Sequence, residues 1–212
     1  MEHGDGEMDG LTVSLCARCP QLVDSRSQIV NGVGPPDANL LIVGEAPGAD
    51  EDRQGEPFVG RSGELLTEYM QSAGITREAV RITNSVRCRP PENRDPRTDE
   101  LTNCRGWLER EITLVNPTVV LALGKVPASN LLARDVAVTA ECGRIEQIEI
   151  GDRRFPVVIC VHPAAILYDR SQIERLENAL AVAARRLGIV PPEDDQSSLE
   201  QFTGGQRGSQ GG

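Results

Sequence analysis

Lysine is almost absent from this chain of 212 residues, because Lys125 is the single lysine among its 22 basic residues and the rest are arginines. Acidic residues number 32, so the formal net charge is −10. This composition is typical of proteins from salt-adapted organisms, although a genome that favours arginine codons would produce the same bias. Taken alone, the negative net charge argues against binding to nucleic acid. At high salt, contacts to phosphates also contribute less through counterion release, so binding would depend more on shape and stacking.

Long apolar runs are also lacking. No stretch of about 18 apolar residues occurs, which argues against a membrane-spanning helix. The first ten residues are acidic and do not show the basic and then apolar pattern of a secretory signal. The hydrophobic content of 39% and the charged content of 25% are ordinary for a globular protein. We therefore expect a cytoplasmic protein without a membrane partner.

The charges are unevenly distributed along the chain. Four acids fall in residues 1–10 and four more in residues 193–200, within segments that are polar or rich in glycine. Such segments bury too little apolar surface to fold, so we predict disordered tails at 1–10 and 191–212 and a single domain over 11–190. Within that domain, two acids face five arginines over a short stretch, an excess that could bind a phosphate backbone or be a solvated surface. These arginines are Arg81, Arg87, Arg89, Arg94 and Arg97.

Short apolar runs alternate with helix-like segments through the body of the chain. Compact apolar runs bounded by turn residues predict strands, and apolar residues three and four apart predict helices. Their alternation predicts an α/β fold with a mainly parallel sheet, in which ligands bind beyond the carboxyl ends of the strands. The predicted strands are 40–43, 80–83, 118–123, 145–150 and 155–161, and the predicted helices are 63–73, 98–115 and 164–187.

Three segments follow predicted strands at that edge of the sheet: GEAPG (44–48), NSVRCRPPENRDP (84–96) and HPAAIL (162–167). Aromatic residues make up only 3% of the chain and only two histidines occur. Phe58, in a polar stretch, and His162, after an apolar strand, therefore stand out. A phosphate-cradling loop is not expected after the first strand, because no Lys-Ser/Thr pair follows its glycines.

Cysteine is present six times, and four of the cysteines form two groups. Cys16 and Cys19 form a C-x2-C pair, whereas Cys88 and Cys104 are separated by 15 residues. Because structural disulfides are rare inside cells, this grouping indicates a metal site. Four thiolates suit tetrahedral zinc or a [4Fe–4S] cluster, and the wide second pair favours iron–sulfur over a compact zinc ribbon. Unrelated buried thiols are the alternative, and we expect one at Cys160 in its apolar strand.

Taken together, these segments resemble the family 4 uracil-DNA glycosylases, the iron–sulfur branch of that superfamily found in archaea and thermophilic bacteria. The resemblance covers roughly residues 16–187 and lies in the order of the motifs, since GEAPG or HP alone is not specific. It implies a three-layer α/β/α sandwich around a short, mainly parallel sheet, which agrees with the pattern of strands and helices. The motifs are CARCP (16–20), GEAPGADEDRQGEPFVGRSGELL (44–66), TNSVRCRPPENRDP (83–96), VVLALG (119–124) and HPAAIL (162–167).

The resemblance also implies an activity and a cofactor. A family 4 enzyme flips uracil out of DNA and hydrolyses the N-glycosidic bond, which releases free uracil and leaves an abasic site. Cys16, Cys19, Cys88 and Cys104 would ligate a [4Fe–4S] cluster with a structural role, since the reaction needs no electron. The expected partner is uracil-containing DNA, single- or double-stranded. We expect a monomer whose abasic product passes to downstream repair enzymes.

Individual residues fit the parts that this reaction needs, because the sugar becomes cationic and the uracil anionic in the transition state. The Asn84 amide can donate to uracil O4 and accept from N3–H, a pattern that cytosine reverses. Phe58 can stack on the flipped base, and His162 can donate to O2 as negative charge develops there. The structural alternatives are a turn cap for Asn84, a core anchor for Phe58 and a satisfied core histidine.

Glu45 is the carboxylate expected near the sugar, where it would orient water or stabilise the cation. The better-known branch of the superfamily has GQDPY, with its water-activating aspartate at the position of Ala46. Glu45 or an amide must therefore substitute for it, and Asn93 matches a family position that could share the task with Glu45. Backbone amides around Gly44, Ala46 and Gly48 are expected to line the pocket.

DNA contacts are expected from the HPAAIL segment and from the loop that follows the first strand. Leu167 would act as a wedge in the space left by the flipped base, and Arg61 would hold a phosphate. Ala164 replaces a serine common in the family and so lacks a hydroxyl for phosphate, and Tyr168 stands where the family often has arginine. The remaining loop acids, Asp50, Glu51 and Asp52, are interpreted as solvated surface.

Two other interpretations use the same segments. A non-catalytic iron–sulfur protein that binds uracil-DNA would have no need to combine Glu45, Asn84 and His162. The branch of the superfamily that traps uracil-DNA covalently typically has GEQPG and an inserted basic loop. This chain has GEAPG and no such insert. Both observations favour the enzyme.

Overall fold

Strands and helices alternate along residues 7–189, the part of the chain that the computed structural model describes. The predicted tails lie mostly outside these residues, although Glu7–Asp9 forms a short strand. The strands are β1 (Glu7–Asp9), β2 (Thr12–Ser14), β3 (Leu40–Gly44), β4 (Val80–Asn84), β5 (Val119–Leu123), β6 (Ile145–Ile150) and β7 (Arg153–Cys160). The helices are α1 (Pro20–Ser25), α2 (Ala49–Gln54), α3 (Arg61–Ser72), α4 (Thr98–Val115), α5 (Lys125–Leu132), α6 (Val138–Glu141) and α7 (Gln172–Arg186).

Five of the strands form the central sheet, in the order β4-β3-β5-β7-β6. The first four run parallel, and β6 pairs antiparallel with β7 at one edge. Strands β3, β4 and β5 are buried along their whole length, as parallel strands are when helices cover both faces. The predicted mainly parallel sheet is confirmed.

Alternate residues of each strand point to opposite faces of the sheet, so each face carries its own core. On one face, Ile42 and Leu121 pack with Leu66 of α3 and Leu180 of α7. On the other face, strand residues pack against helices α4 and α5. The result is the expected three-layer α/β/α sandwich. None of the described helices is long and apolar enough to cross a membrane.

The predicted helix at 164–187 is wrong in its first part. Residues Pro163–Leu167 form a 3-10 turn, and α7 begins only at Gln172. The Oδ1 atom of Asp169 accepts a hydrogen bond from the Ser171 backbone N–H at 2.9 Å. This local turn competes with helical hydrogen bonding and separates the two segments.

The buried carboxylate of Glu111, on α4, ties several distant segments together. It accepts a hydrogen bond from Arg81 Nε at 2.6 Å and another from Arg87 Nη2 at 2.7 Å, and its side chain has no exposed surface. Arg81 also donates to the carbonyls of Gly32 and Gly34, while Arg87 donates to Asn31 Oδ1. The network joins α4 to β4, to the segment after β4 and to the chain before β3.

This network corrects both interpretations of the arginine-rich stretch, as a surface for phosphates and as a solvated charged surface. Arg81 and Arg87 are buried against Glu111, and Arg94 forms an ion pair with Glu100. Burial is possible here because each guanidinium finds a carboxylate and further acceptors. Much of the positive charge counted between positions 81 and 97 therefore serves the fold.

We predict that Glu111→Ala lowers the thermal unfolding midpoint by on the order of 10 °C, because it leaves two buried guanidinium groups without their carboxylate. Glu109→Ala is the matched control on the same helix. Its carboxylate pairs with Arg105 near the surface, and an exposed pair contributes about 1 kcal/mol or less. Circular dichroism melts of the two variants would contradict the role of Glu111 if they shifted equally.

Candidate active site

The carboxyl ends of β3, β4 and β7 meet at one edge of the sheet, and the segments that follow them enclose a cavity of about 500 Å³. Strands β3 and β4 are neighbours, and β5 separates β3 from β7. This geometry brings together residues that lie more than one hundred positions apart in the chain. The cavity is lined by Glu45, Ala46, Gly48, Glu51, Phe58, Ser62, Asn84, Asn93, His162, Ala164 and Tyr168.

Asn84 ends β4 in register with Gly44, the last residue of β3. Its side chain lines the cavity although the residue is only 3% exposed. No hydrogen bond within the described residues engages the Asn84 amide, which leaves its donor and acceptor for a ligand. A side chain at Gly44 would collide with the Asn84 amide oxygen and with the Phe58 ring. Gly44 therefore packs beneath these two residues and is not itself among the lining residues.

Phe58 is held in a left-handed backbone conformation, with φ 55°, that a bulky residue rarely adopts. Its carbonyl accepts a hydrogen bond from Arg77 Nη2 at 3.0 Å, and the same nitrogen donates to the Pro57 carbonyl at 2.9 Å. Gly63 permits the close approach of α3, because a Cβ there would collide with the Phe58 carbonyl. These contacts aim the ring into the cavity, where it stacks on His162 with centroids 5.8 Å apart.

His162 lies two residues after the end of β7 and is neutral at physiological pH. Burial lowers the pKa of the imidazole to about 4, although the Glu51 carboxylate opposes that shift. The Nδ1 atom accepts a hydrogen bond from the Ala164 backbone N–H at 3.2 Å. In the neutral ring the proton must then be on Nε2, which makes that nitrogen a hydrogen-bond donor.

Glu45 follows β3 and lines the cavity in a half-buried position. Burial raises the pKa of its carboxyl to about 7, and the negative charge of Asp95 adds to the shift. A carboxylate with a pKa near neutrality is a stronger base than an ordinary one and still ionises at physiological pH. Asn93 also lines the cavity from a left-handed turn with φ 55°, and its Oδ1 accepts a hydrogen bond from Arg89 Nε at 2.7 Å.

Two of the loop acids are structural, which corrects their interpretation as solvated surface. Asp52 is 2% exposed and accepts hydrogen bonds from the Ser27 backbone N–H through both carboxylate oxygens, each at 2.9 Å. Glu51 accepts from the backbone N–H of Gly48 at 3.1 Å and from that of Gly60 at 3.0 Å. Sequence reasoning missed them because the partners are backbone groups. Asp50 is exposed, as predicted, in a surface ion pair with Arg53.

The other predicted residues are divided between the cavity and its surroundings. Ala46 and Ala164 line the cavity, and so does Gly48, although its N–H is already bonded to Glu51. Arg61 and Leu167 are exposed and are not among the lining residues. Ser62 also lines the cavity and was not predicted to do so. Its place at the start of α3 is the one feature of the sequence that could have indicated this position.

The four grouped cysteines surround a second, smaller cavity formed by the N-terminal segment, the chain after β4 and helix α4. Burial raises the pKa of the Cys104 thiol to about 12 and also raises that of Cys88. Arg26 Nη1 donates to the Cys88 sulfur at 2.8 Å. Within the described residues, no three His, Cys, Asp or Glu side chains are placed to hold one metal ion. The lining residues are Cys16, Arg18, Cys19, Leu22, Arg26, Arg87, Cys88, Asn103 and Cys104.

The cavity at the sheet edge and the family comparison agree in defining a class of protein. The chain belongs to the uracil DNA glycosylase superfamily, whose family model matches residues 31–186. Within it, several relatives of the chain are type-4 enzymes. The chain is 40% identical over 170 residues to the type-4 uracil-DNA glycosylase of Archaeoglobus fulgidus, covering 78% of this chain and 85% of that protein.

A second type-4 relative supports the narrower placement, and a type-5 enzyme is also similar to the chain. The type-4 uracil-DNA glycosylase of Thermotoga maritima is 40% identical over 160 residues, covering 75% of this chain and 81% of that protein. The type-5 uracil-DNA glycosylase of Thermus thermophilus is 33% identical over 153 residues, covering 58% of this chain and 69% of that protein. The predicted resemblance to the family 4 enzymes is confirmed.

We predict that Glu51→Ala increases hydrogen exchange of the Gly48 and Gly60 amides roughly five- to tenfold, because each loses a bond contributing about 1 kcal/mol. NMR-detected exchange would measure both amides. Asp50→Ala is the control one position away, since its carboxylate pairs only at the surface with Arg53. Unchanged exchange of both amides in Glu51→Ala would show that the Glu51 carboxylate does not stabilise this part of the loop.

Proposed function

We propose that this protein is a DNA repair enzyme that takes uracil out of the DNA stack and hydrolyses its N-glycosidic bond. The products are free uracil and an abasic site. One observation carries the proposal: a single cavity combines a free amide, an aromatic ring, a neutral imidazole and a half-buried carboxylate. A base must leave the duplex to enter such a cavity. The type-4 names of the relatives support the same activity.

Uracil recognition is assigned to Asn84 and Phe58. The unengaged Asn84 amide can donate to O4 and accept from N3–H, whereas cytosine would leave two buried groups unpaired. The Phe58 ring offers a stacking surface whose position is set by Arg77 and by the close packing of Gly63. Because the backbone and the ring are held before substrate arrives, little ordering is needed on binding.

Departure of the base is assigned to His162. As the glycosidic bond breaks, its electron pair moves onto the uracil, and negative charge develops at O2. The neutral imidazole, with its proton on Nε2, can donate a hydrogen bond to that oxygen. A fixed donor in a partly dry cavity stabilises such charge by several kcal/mol in comparable sites, roughly 3–4 kcal/mol.

Attack of water at C1′ is assigned to Glu45, with help from Asn93. The Glu45 carboxylate would stabilise the cationic sugar and accept the proton of the attacking water. Asn93 keeps its amide N–H groups for that water or the sugar, because its oxygen is already bonded to Arg89. The non-catalytic alternative is disfavoured, since Glu45, Asn84 and His162 are all present in the one cavity.

We also propose that Cys16, Cys19, Cys88 and Cys104 hold a [4Fe–4S] cluster. Supporting this, the four thiols line one cavity and none is in a disulfide. Within the described residues no three of these thiols are placed to hold one metal ion, as zinc with Zn–S bonds of about 2.3 Å requires. A cluster binds one thiolate at each iron and so accepts sulfurs that lie further apart. When bound, the cluster would cross-link the N-terminal segment, the chain after β4 and α4.

We expect the purified protein to release uracil from U-containing oligonucleotides and to contain about four iron and four acid-labile sulfide per chain. Asn84→Ala should lower kcat/KM at least about 100-fold, corresponding to about 3 kcal/mol, because both hydrogen bonds to the base are lost. Its iron content should not change. Asn178→Ala, on the exposed side of α7, is the control. Absence of uracil release from every U-containing substrate would overturn the proposed function.

Activity should rise with pH as Glu45 loses its proton, with a midpoint near the pKa of about 7. The pKa of His162 is about 4, so this residue should add no second step to the pH profile of activity above about pH 5. Asp95→Asn removes a repulsive charge, so Glu45 should ionise more easily and the rise should move to lower pH. Profiles of kcat/KM between about pH 5 and 9 test this. Asp152→Asn, in the exposed β6–β7 turn, should leave the profile in place, and an upward shift in Asp95→Asn would contradict the assignment.

A further inference from the structure

Tyr168 is a nearly fully exposed aromatic residue at the mouth of the active-site cavity. It follows the 3-10 turn Pro163–Leu167, lines the cavity and is 91% exposed. The other four aromatic residues of the described chain are buried or partly buried. An exposed aromatic ring forgoes a large hydrophobic gain, so its position beside a binding site points to contact with a ligand.

The backbone around Tyr168 is fixed, so the ring is presented from a defined position. The Tyr168 N–H donates to the Ala165 carbonyl at 3.2 Å, and the Asp169 N–H donates to the same carbonyl at 2.9 Å. The Asp169 carboxylate in turn accepts from the Ser171 N–H and from Gln172 Nε2. This arrangement ends the turn and leaves two adjacent apolar side chains, Leu167 and Tyr168, on the surface.

We propose that Tyr168 stacks on a base that neighbours the uracil in the same strand, once the uracil has entered the cavity. This inference rests on the proposed function. Removal of one base from the stack exposes a face of each neighbouring base, and those faces lie at the cavity mouth. A ring whose two faces are open can cover one of them, and such a stack contributes roughly 1–3 kcal/mol per base.

The charges around the site make this contact important for affinity. Arg81 and Arg87 are buried, so they cannot neutralise phosphates, and the chain as a whole is acidic. Phosphate contacts weaken as salt rises, whereas stacking does not release counterions. Tyr168 therefore supplies binding that persists at high salt, whereas a phosphate contact from exposed Arg61 would weaken as salt rises.

The test is binding to an oligonucleotide that carries an uncleavable uracil nucleotide, compared with the same strand lacking the base on either side of the uracil. Tyr168→Ala should weaken binding about tenfold at both low and high salt, corresponding to about 1.4 kcal/mol. Tyr168→Phe keeps the ring and should retain most of the affinity. Leu114→Ala, which removes an exposed apolar side chain from α4, is the control.

Binding to the oligonucleotides that lack one neighbouring base identifies the base on which Tyr168 stacks. Removal of the base on which Tyr168 stacks should weaken binding by the wild type. It should also abolish the difference in affinity between the wild type and Tyr168→Ala. A difference that persists when both neighbours are missing would overturn the proposal, as would wild-type affinity in Tyr168→Ala. A defect in Tyr168→Phe equal to that of Tyr168→Ala would show that the hydroxyl, and not stacking, is needed. Uracil release by the wild type is measured in parallel, because its absence would instead refute the proposed function.

Discussion

The buried carboxylate of Glu111 is the interaction on which both functional cavities depend. It binds Arg81, three residues before Asn84, and Arg87, directly before one of the grouped cysteines. Helix α4, which carries Glu111, also carries Cys104 seven residues earlier. An unpaired charge at this depth would be too costly to keep, so the three side chains hold one arrangement of strand, loop and helix. The active-site cavity and the cysteine cavity thus share one internal support.

Burial shifts two pKa values in opposite directions within the active-site cavity. Desolvation disfavours the charged form of any group, so it makes His162 neutral and makes Glu45 hold its proton more tightly. One physical cause therefore supplies both a neutral hydrogen-bond donor and a carboxylate of increased basicity. The proximity of Asp95 strengthens the second effect at a cost in folding stability as Glu45 ionises.

Much of the fold and most of the candidate site could be predicted from local sequence. The buried strands are continuous apolar runs, and α4 was predicted with the bounds that it has, Thr98–Val115. Asn84, Glu45 and His162 were singled out because they follow predicted strands, Phe58 because it is a rare aromatic residue in a polar stretch, and their roles came from the family resemblance. The cavity brings the four residues together. The start of the predicted final helix was wrong, because the turn at Asp169 depends on a side-chain hydrogen bond. The spacing of apolar residues does not reveal such a bond.

The sequence by itself determined the order of the main strands and helices. It also determined the edge of the sheet at which the candidate site residues lie, and the residue types available there. These follow from patterns within a few residues, such as apolar runs and the positions after strands. Only the tertiary structure decided which charged residues are structural and which can react. Asp52 meets its partner 25 positions away and Arg81 meets Glu111 30 positions away. Because charge, burial and pKa depend on such distant neighbours, the roles of identical side chains separate only when the chain is folded.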